Sequence, residues 1–169
     1  LMDAKGFSRP HILDMLNVKY VLTRKKINNP NFIALKDVPG VFQNKNVLPK
    51  AWIVGNVKSV ETQRESLMET LLNGFDPSNT AIIYKYQGES LEGMASGQVD
   101  VISRTENKIN IMSQSETGGL LVLSEIYYKP GWRAYVNGEE TPVYQTKHIL
   151  RSIYAFSYTN LTLPTICSS

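Results

Sequence analysis

The sequence predicts an α+β fold: a small α+β part over residues 1–94, then an antiparallel β-sandwich-like unit over 95–156. Three observations point there. The two helix-start signals, Ser8-Arg9-Pro10 and Thr62-Gln63-Arg64-Glu65, lie in the first seventy residues. Beyond residue 95, short alternating segments follow one another with turn residues between them, the pattern of a sandwich. The chain has 169 residues, 42% hydrophobic and 20% charged, which is a globular composition sized for one domain or two small ones sharing a core.

The first helix is expected over 9–16. Ser8 is a good cap, Pro10 is tolerated in a first turn, and Ile12, Leu13, Met15 and Leu16 supply an apolar face. Val18-Lys19-Tyr20-Val21-Leu22 reads as a strand, and 24–31 as a charged, turn-rich break. Two further strands are expected at 41–44 and 51–54, with Asn44-Lys45-Asn46 turning between them. Thr62-Gln63-Arg64-Glu65 is a capping box, in which threonine accepts from the N–H of residue 65 and the glutamate reaches back. Leu67, Met68, Leu71 and Leu72 continue it as an amphipathic helix that Asn73-Gly74 stops. Residues 80–84 read as a strand, and the glycine-bearing stretch 87–98 as a subdomain boundary.

After the boundary, 99–103 and 108–112 alternate around Thr105-Glu106-Asn107 and read as a hairpin. Leu120-Leu121-Val122-Leu123 is apolar on both sides, which predicts a central strand covered on both faces. Asn137-Gly138 between alternating residues predicts a two-residue hairpin turn with positive φ at both positions. Pro142 cannot donate to a ladder and suggests an edge, and 148–154 forms one more strand.

The chemistry-bearing patterns are mostly absent. The formal charge of +3 is too small and too dispersed to argue for nucleic acid, so no nucleic-acid partner is expected. One cysteine and two histidines build no zinc site unaided, and no metal or other cofactor is expected. No apolar run approaches the roughly 18 residues that span a bilayer, and no basic-then-apolar leader opens the chain. Gly88-Glu89-Ser90-Leu91-Glu92-Gly93 has the wrong spacing for a nucleophile elbow, so Ser90 reads as a loop serine. His11 and His148 lie far apart with no third group suggested by spacing. Cys167 has no basic or helical context to lower its pKa. Glu139-Glu140 are strand neighbours and point to opposite faces. No catalytic residue is assigned, and the isolated chain is expected to show neither glycosyltransferase nor hydrolase turnover.

The binding potential lies in the aromatic cluster Tyr127, Tyr128, Trp132, Tyr135, Tyr144 and Tyr154. Aromatic faces stack on sugar rings, and their polar tips hydrogen-bond at a wet boundary. Tyr127, Tyr128, Trp132 and Tyr135 are the candidate contacts to a glycan, a lipid head-group or another part of a parent protein. The competing reading makes alternate members core residues and the rest cross-strand pairs.

Three blocks carry a family resemblance. They are Met15-Leu16-Asn17-Val18-Lys19-Tyr20-Val21-Leu22, Leu48-Pro49-Lys50-Ala51-Trp52-Ile53-Val54, and the run from position 120 to 138 containing Tyr127-Tyr128-Lys129-Pro130-Gly131-Trp132-Arg133-Ala134-Tyr135, followed by Tyr144 and Leu150-Arg151. In this order they resemble the C-terminal extracytoplasmic region of YfhO-like bacterial membrane proteins. Those are polytopic proteins similar to glycosyltransferases that take sugars from polyprenyl-phosphate carriers. The resemblance covers roughly residues 8–154, and the third block is its specific part. It implies that the chain is a fragment whose membrane-spanning portion precedes it. The acidic residue such enzymes carry in an early extracytoplasmic loop is not in these residues, so no catalytic role carries over.

The resemblance implies an accessory domain on the extracytoplasmic face of a bacterial membrane. Its partner would be the membrane-embedded part of the same chain, and it would help to hold a cell-surface acceptor. A free-standing carbohydrate-binding or adhesion module of a secreted protein is the alternative, and a ligand-free scaffold domain the third. The pattern departs from the family after Tyr154, and 157–169 resembles a translated sequencing-adapter tail. Leu161, Leu163 and Ile166 keep no period of two with Tyr158, and Pro164 interrupts a ladder. Residues 157–169 are therefore expected to be non-native, and mobile or a poorly matched strand.

Overall fold

The computed structural model describes residues 2–3, 6–88, 90–91, 93, 97–128, 131–156 and 158–164. It is α+β and mostly strand, with two large sheets packed as a sandwich. The N-terminal part contributes the ribbon β1 (Met2–Asp3) and β2 (Gly6–Phe7), helix α1 (Pro10–Met15), and strands β3 (Tyr20–Leu22), β4 (Phe32–Ala34) and β5 (Val41–Asn44). The last three make an antiparallel sheet in the order β3-β5-β4. Strand β4 follows directly on the turn-rich break of 24–31, where the sequence offers no strand signal; only Phe32 of its three residues is buried, so the segment carries little periodic pattern.

The six-stranded sheet has the order β6-β11-β15-β14-β8-β7, with β6 (Ala51–Val54), β7 (Asn56–Val60), β8 (Thr80–Tyr84), β11 (Gly119–Ile126), β14 (Tyr144–Thr146) and β15 (Leu150–Ala155). It takes three strands from each side of position 95, so both parts of the chain share one sheet. The expected central strand is β11, held between β6 and β15. Leu121 and Leu123 join one core and Leu120 and Val122 the other, which is why its run is apolar without alternation. Strands β7 and β8 pair in parallel across helix α2 (Gln63–Thr70). The sequence shows no strand pattern at β7, because Asn56, Lys58 and Ser59 put polar residues on both faces of this edge strand.

The five-stranded sheet has the order β13-β12-β16-β10-β9, with β9 (Gly97–Arg104), β10 (Lys108–Ser115), β12 (Ala134–Val136), β13 (Glu139–Thr141) and β16 (Tyr158–Pro164). Ile109, Ile111, Val136, Leu161 and Leu163 face Leu121, Leu123 and Ile153 across the sandwich. Asn137 and Gly138 take φ of 52° and 92° between β12 and β13, as the Asn-Gly pair predicts. Pro142 follows β13, the edge strand, where the chain crosses to the other sheet.

Three helix expectations are corrected. The cap of α1 is Arg9, which makes no side-chain cap bond, and Ser8 does not cap. The Arg9 Nε instead donates to the Leu71 carbonyl at 2.7 Å, and His11 Nε2 lies 3.0 Å from the Thr70 carbonyl. These contacts close the C-terminus of α2 and give His11 a structural role. The capping box of α2 is complete, with Glu65 N–H donating to Thr62 Oγ1 at 3.1 Å and Thr62 N–H to Glu65 Oε2 at 3.3 Å. Its buried face, however, is Ser66 and Thr70, while Leu67, Met68 and Leu72 are exposed. Only Leu71 packs toward the core. The Thr70 hydroxyl donates to the Ser66 carbonyl at 2.7 Å, so the polar stripe satisfies itself against the sheet. Helix α2 ends at Leu71, and Gly74 is not left-handed.

The expectation of a mobile or poorly matched tail is also corrected. Strand β16 pairs with β10 from Lys108↔Pro164 to Gln114↔Tyr158, and with β12 at Tyr135↔Thr162 and Val136↔Leu161. Thr159, Leu161 and Leu163 are buried, a clean period of two. The buried parity starts at Thr159, so a period of two counted from position 158 does not find it. Pro164 sits at the strand's end, where its carbonyl accepts from Arg133 N–H at 3.2 Å. Cys167 lies outside the described residues.

Candidate functional site

The sandwich opens at one end into a cleft of about 200 Å³. The segment leaving β11 delivers Tyr127 and Tyr128 to it, the segment before β12 delivers Trp132 and Arg133, hairpin strand β13 delivers Glu140, and β15 delivers Arg151. Tyr127 is half-buried with its N–H donating to the Ile149 carbonyl at 2.8 Å, and burial pushes its phenol pKa up. Tyr128 is exposed, and its ring lies against Gly131, where an added Cβ would meet ring carbon Cδ1 at 2.7 Å. Any side chain at Gly131 therefore moves the Tyr128 ring.

Three of the four candidate contacts thus share the cleft. Tyr135 is not among its lining residues; its phenol is a hydrogen-bond partner of the Arg133 side chain. That bond first, and Glu140 at 3.7 Å second, raise the Arg133 guanidinium further above its ordinary value. Tyr144 and Tyr154 pack on the opposite face of the six-stranded sheet, as core rather than site. Tyr144 meets Tyr86 edge-on with ring centres 5.2 Å apart.

Sequence reading missed Arg133, Glu140 and Arg151 as cleft residues. Arg151 is 3% exposed and its guanidinium lies 4.3 Å from the Trp132 ring centre. Strand pairing puts it opposite Leu123, on the face that looks into the sandwich. Its Nη2 donates to the Ile126 carbonyl at 2.9 Å, while Nε and Nη1 are buried without a hydrogen-bond partner. Burial lowers its pKa, Glu125 opposes that, and Arg104 adds to it; a guanidinium stays charged regardless. In the sequence Arg151 is one polar residue of the strand Leu150-Arg151-Ser152-Ile153, and only the pairing of β15 shows that it takes an inward position.

A second buried cation lies elsewhere. Lys147 is fully buried in a left-handed turn, its Nζ donating to the Pro77 carbonyl at 2.6 Å and sitting 4.5 Å from the Trp52 ring centre. Trp52 Nε1 donates to the same carbonyl at 3.0 Å. Burial drives the Lys147 pKa well below its ordinary value, with Asp76 opposing. Its role is to pin the 76–79 loop to the sheet.

Among the described residues no three His, Cys, Asp or Glu side chains gather as a metal site, and no helix is long and apolar enough to cross a membrane. The one carboxylate lining the cleft, Glu140, faces Arg133, and Glu139 has no place there. The arrangement is suited to holding a ring between aromatic and guanidinium groups rather than to acid–base work. Compared with known proteins, the chain matches no family model, no curated protein and no solved structure.

Proposed function

We propose that this chain is the extracytoplasmic accessory domain of a polytopic bacterial membrane protein resembling polyprenyl-phosphate-sugar-dependent glycosyltransferases that act on cell-surface polymers, and that its cleft contacts the glycan. The observation that carries the reading is the meeting of Tyr127, Tyr128 and Trp132 in one cleft with two arginines. Aromatic rings cover the apolar face of a sugar, and guanidinium and phenol groups satisfy its oxygens. These are also the residues of the sequence block that carries the family resemblance. The domain contributes binding and positioning, and the membrane-embedded part of the same parent contributes the chemistry.

The coding sequence upstream of Leu1 tests the parentage. Several apolar segments of about 20 residues are expected there. A cleavable leader joined directly to this domain, with no such segments, overturns the membrane reading and favours the secreted carbohydrate-binding module.

A further inference from the structure

We infer that the ligand of this cleft is an anionic sugar unit, one carrying a phosphate or a carboxylate, gripped by Arg133 and Arg151; this rests on reading the cleft as a glycan contact. The inference begins with the charges that line it and those behind it. Arg133 and Arg151 face the cleft with Glu140 as the only acidic lining residue among those described. Glu140 is engaged by Arg133 at 3.7 Å. The next carboxylate, Glu125, is held by both Lys50 and Arg104 at 2.9 Å each. Glu125 is thus shared among Lys50, Arg104 and Arg151, and the set of four cations and two carboxylates carries a net positive charge.

Arg151 adds a sharper signal. Two of its nitrogens are buried without a partner, and a charged donor left unmade in the interior is costly. Nothing among the described residues supplies the missing acceptor. A carboxylate or phosphate does, because its two oxygens match the guanidinium fork. The ring of Trp132 lies 4.3 Å from the group, and both line the cleft. Arg133 stands exposed at the mouth, where it meets the anion first. Tyr127 and Tyr128 then take the sugar ring. A cleft built for neutral glycan has no use for a guanidinium with two unmade donors in its lining.

Calorimetric titration of the full chain with four probes tests this: glucose 1-phosphate, glucuronate, glucose and inorganic phosphate. At least one anionic sugar is expected to bind about tenfold or more tighter than glucose and than inorganic phosphate, with affinity falling as salt rises. A preference for glucose 1-phosphate identifies a carrier-linked phosphosugar as the natural unit, and a preference for glucuronate identifies an acidic polymer; both support the inference. Arg133→Ala and Arg151→Lys should each weaken the preferred probe by about tenfold, the second because lysine keeps the charge but loses the planar fork. Should Arg151→Lys fail to fold, the exposed Arg133→Ala carries the test. Glucose binding as tightly as the charged sugars overturns the inference and leaves glycan contact standing. Inorganic phosphate matching glucose 1-phosphate, or both variants binding like the parent, also overturns it. Silence from all four probes overturns the glycan contact itself, while the upstream coding sequence decides membrane parentage separately.

Discussion

Shortening the side chain of Leu163 to alanine is expected to destabilise the protein substantially. Leu163 has no exposed surface and Leu161 only 2%, and both lie in the core between the two large sheets. A fully buried Leu→Ala change costs about 2–5 kcal/mol, the transfer of the lost carbons plus the cavity they leave. Taking about 3 kcal/mol, the melting temperature of a chain this size falls by roughly 6–12 °C. Removing 157–169 is harsher. It deletes both leucines, roughly 6 kcal/mol together, and strips seven pairings from β10 and two from β12. That approaches the whole stability of a typical domain, about 5–15 kcal/mol, so the truncated chain should not fold. Thermal and urea unfolding followed by circular dichroism read both variants. Leu67→Ala, on the exposed face of α2, serves as control and should stay within about 0.5 kcal/mol of the parent. A truncated chain melting cooperatively at the parent's temperature would refute the placement of β16 in the core.

Two further outcomes are expected. Gly138→Val should destabilise by about 1 kcal/mol or more, because a β-branched residue resists the φ of 92° that the hairpin turn imposes; an unchanged urea midpoint would count against the turn. Lys147 is held below its ordinary pKa, so between its folded-state value and the ordinary lysine value the unfolded chain binds more protons than the folded one. Stability should therefore rise as pH increases through that window and fall as pH drops through the folded-state value. Lys147→Met should flatten this slope, and urea midpoints at a series of pH values would expose a slope that survives the substitution.

Much of the fold is legible in the sequence where local chemistry decides it. Thr62 and Glu65 specify a helix start by bonding each other's backbone, and Asn137-Gly138 specifies a turn by tolerating positive φ. The doubly covered β11 shows in its unbroken apolar run. What is not legible depends on partners distant in sequence. The leucines of α2 suggested a buried face, but the sheet beneath accepts Ser66 and Thr70, and no local rule chooses between the two stripes. Strand β16 looked irregular until the parity of Thr159, Leu161 and Leu163 was fixed by β10. At the site, the aromatics were visible by composition, whereas Arg151 acquires meaning only when β15 turns it inward beneath Trp132.

The cleft and the last strand are mechanically joined, and this binds the two main conclusions together. The Pro164 carbonyl at the end of β16 accepts from the Arg133 N–H, fixing the backbone of the arginine at the cleft mouth. Near its start, Asn160 exchanges two bonds with the hairpin turn: its carbonyl accepts from Asn137 N–H at 2.9 Å and its N–H donates to Asn137 Oδ1 at 3.0 Å. Strand β12, lying between these two anchors, carries Tyr135, which in turn holds the Arg133 side chain. Loss of β16 therefore releases both the backbone and the side-chain support of Arg133. Arg151 has no such dependence, since β15 is paired on both sides within the other sheet. Perturbations of β16 too mild to unfold the domain should thus act on the cleft mouth through Arg133, while leaving the buried guanidinium of Arg151 in place.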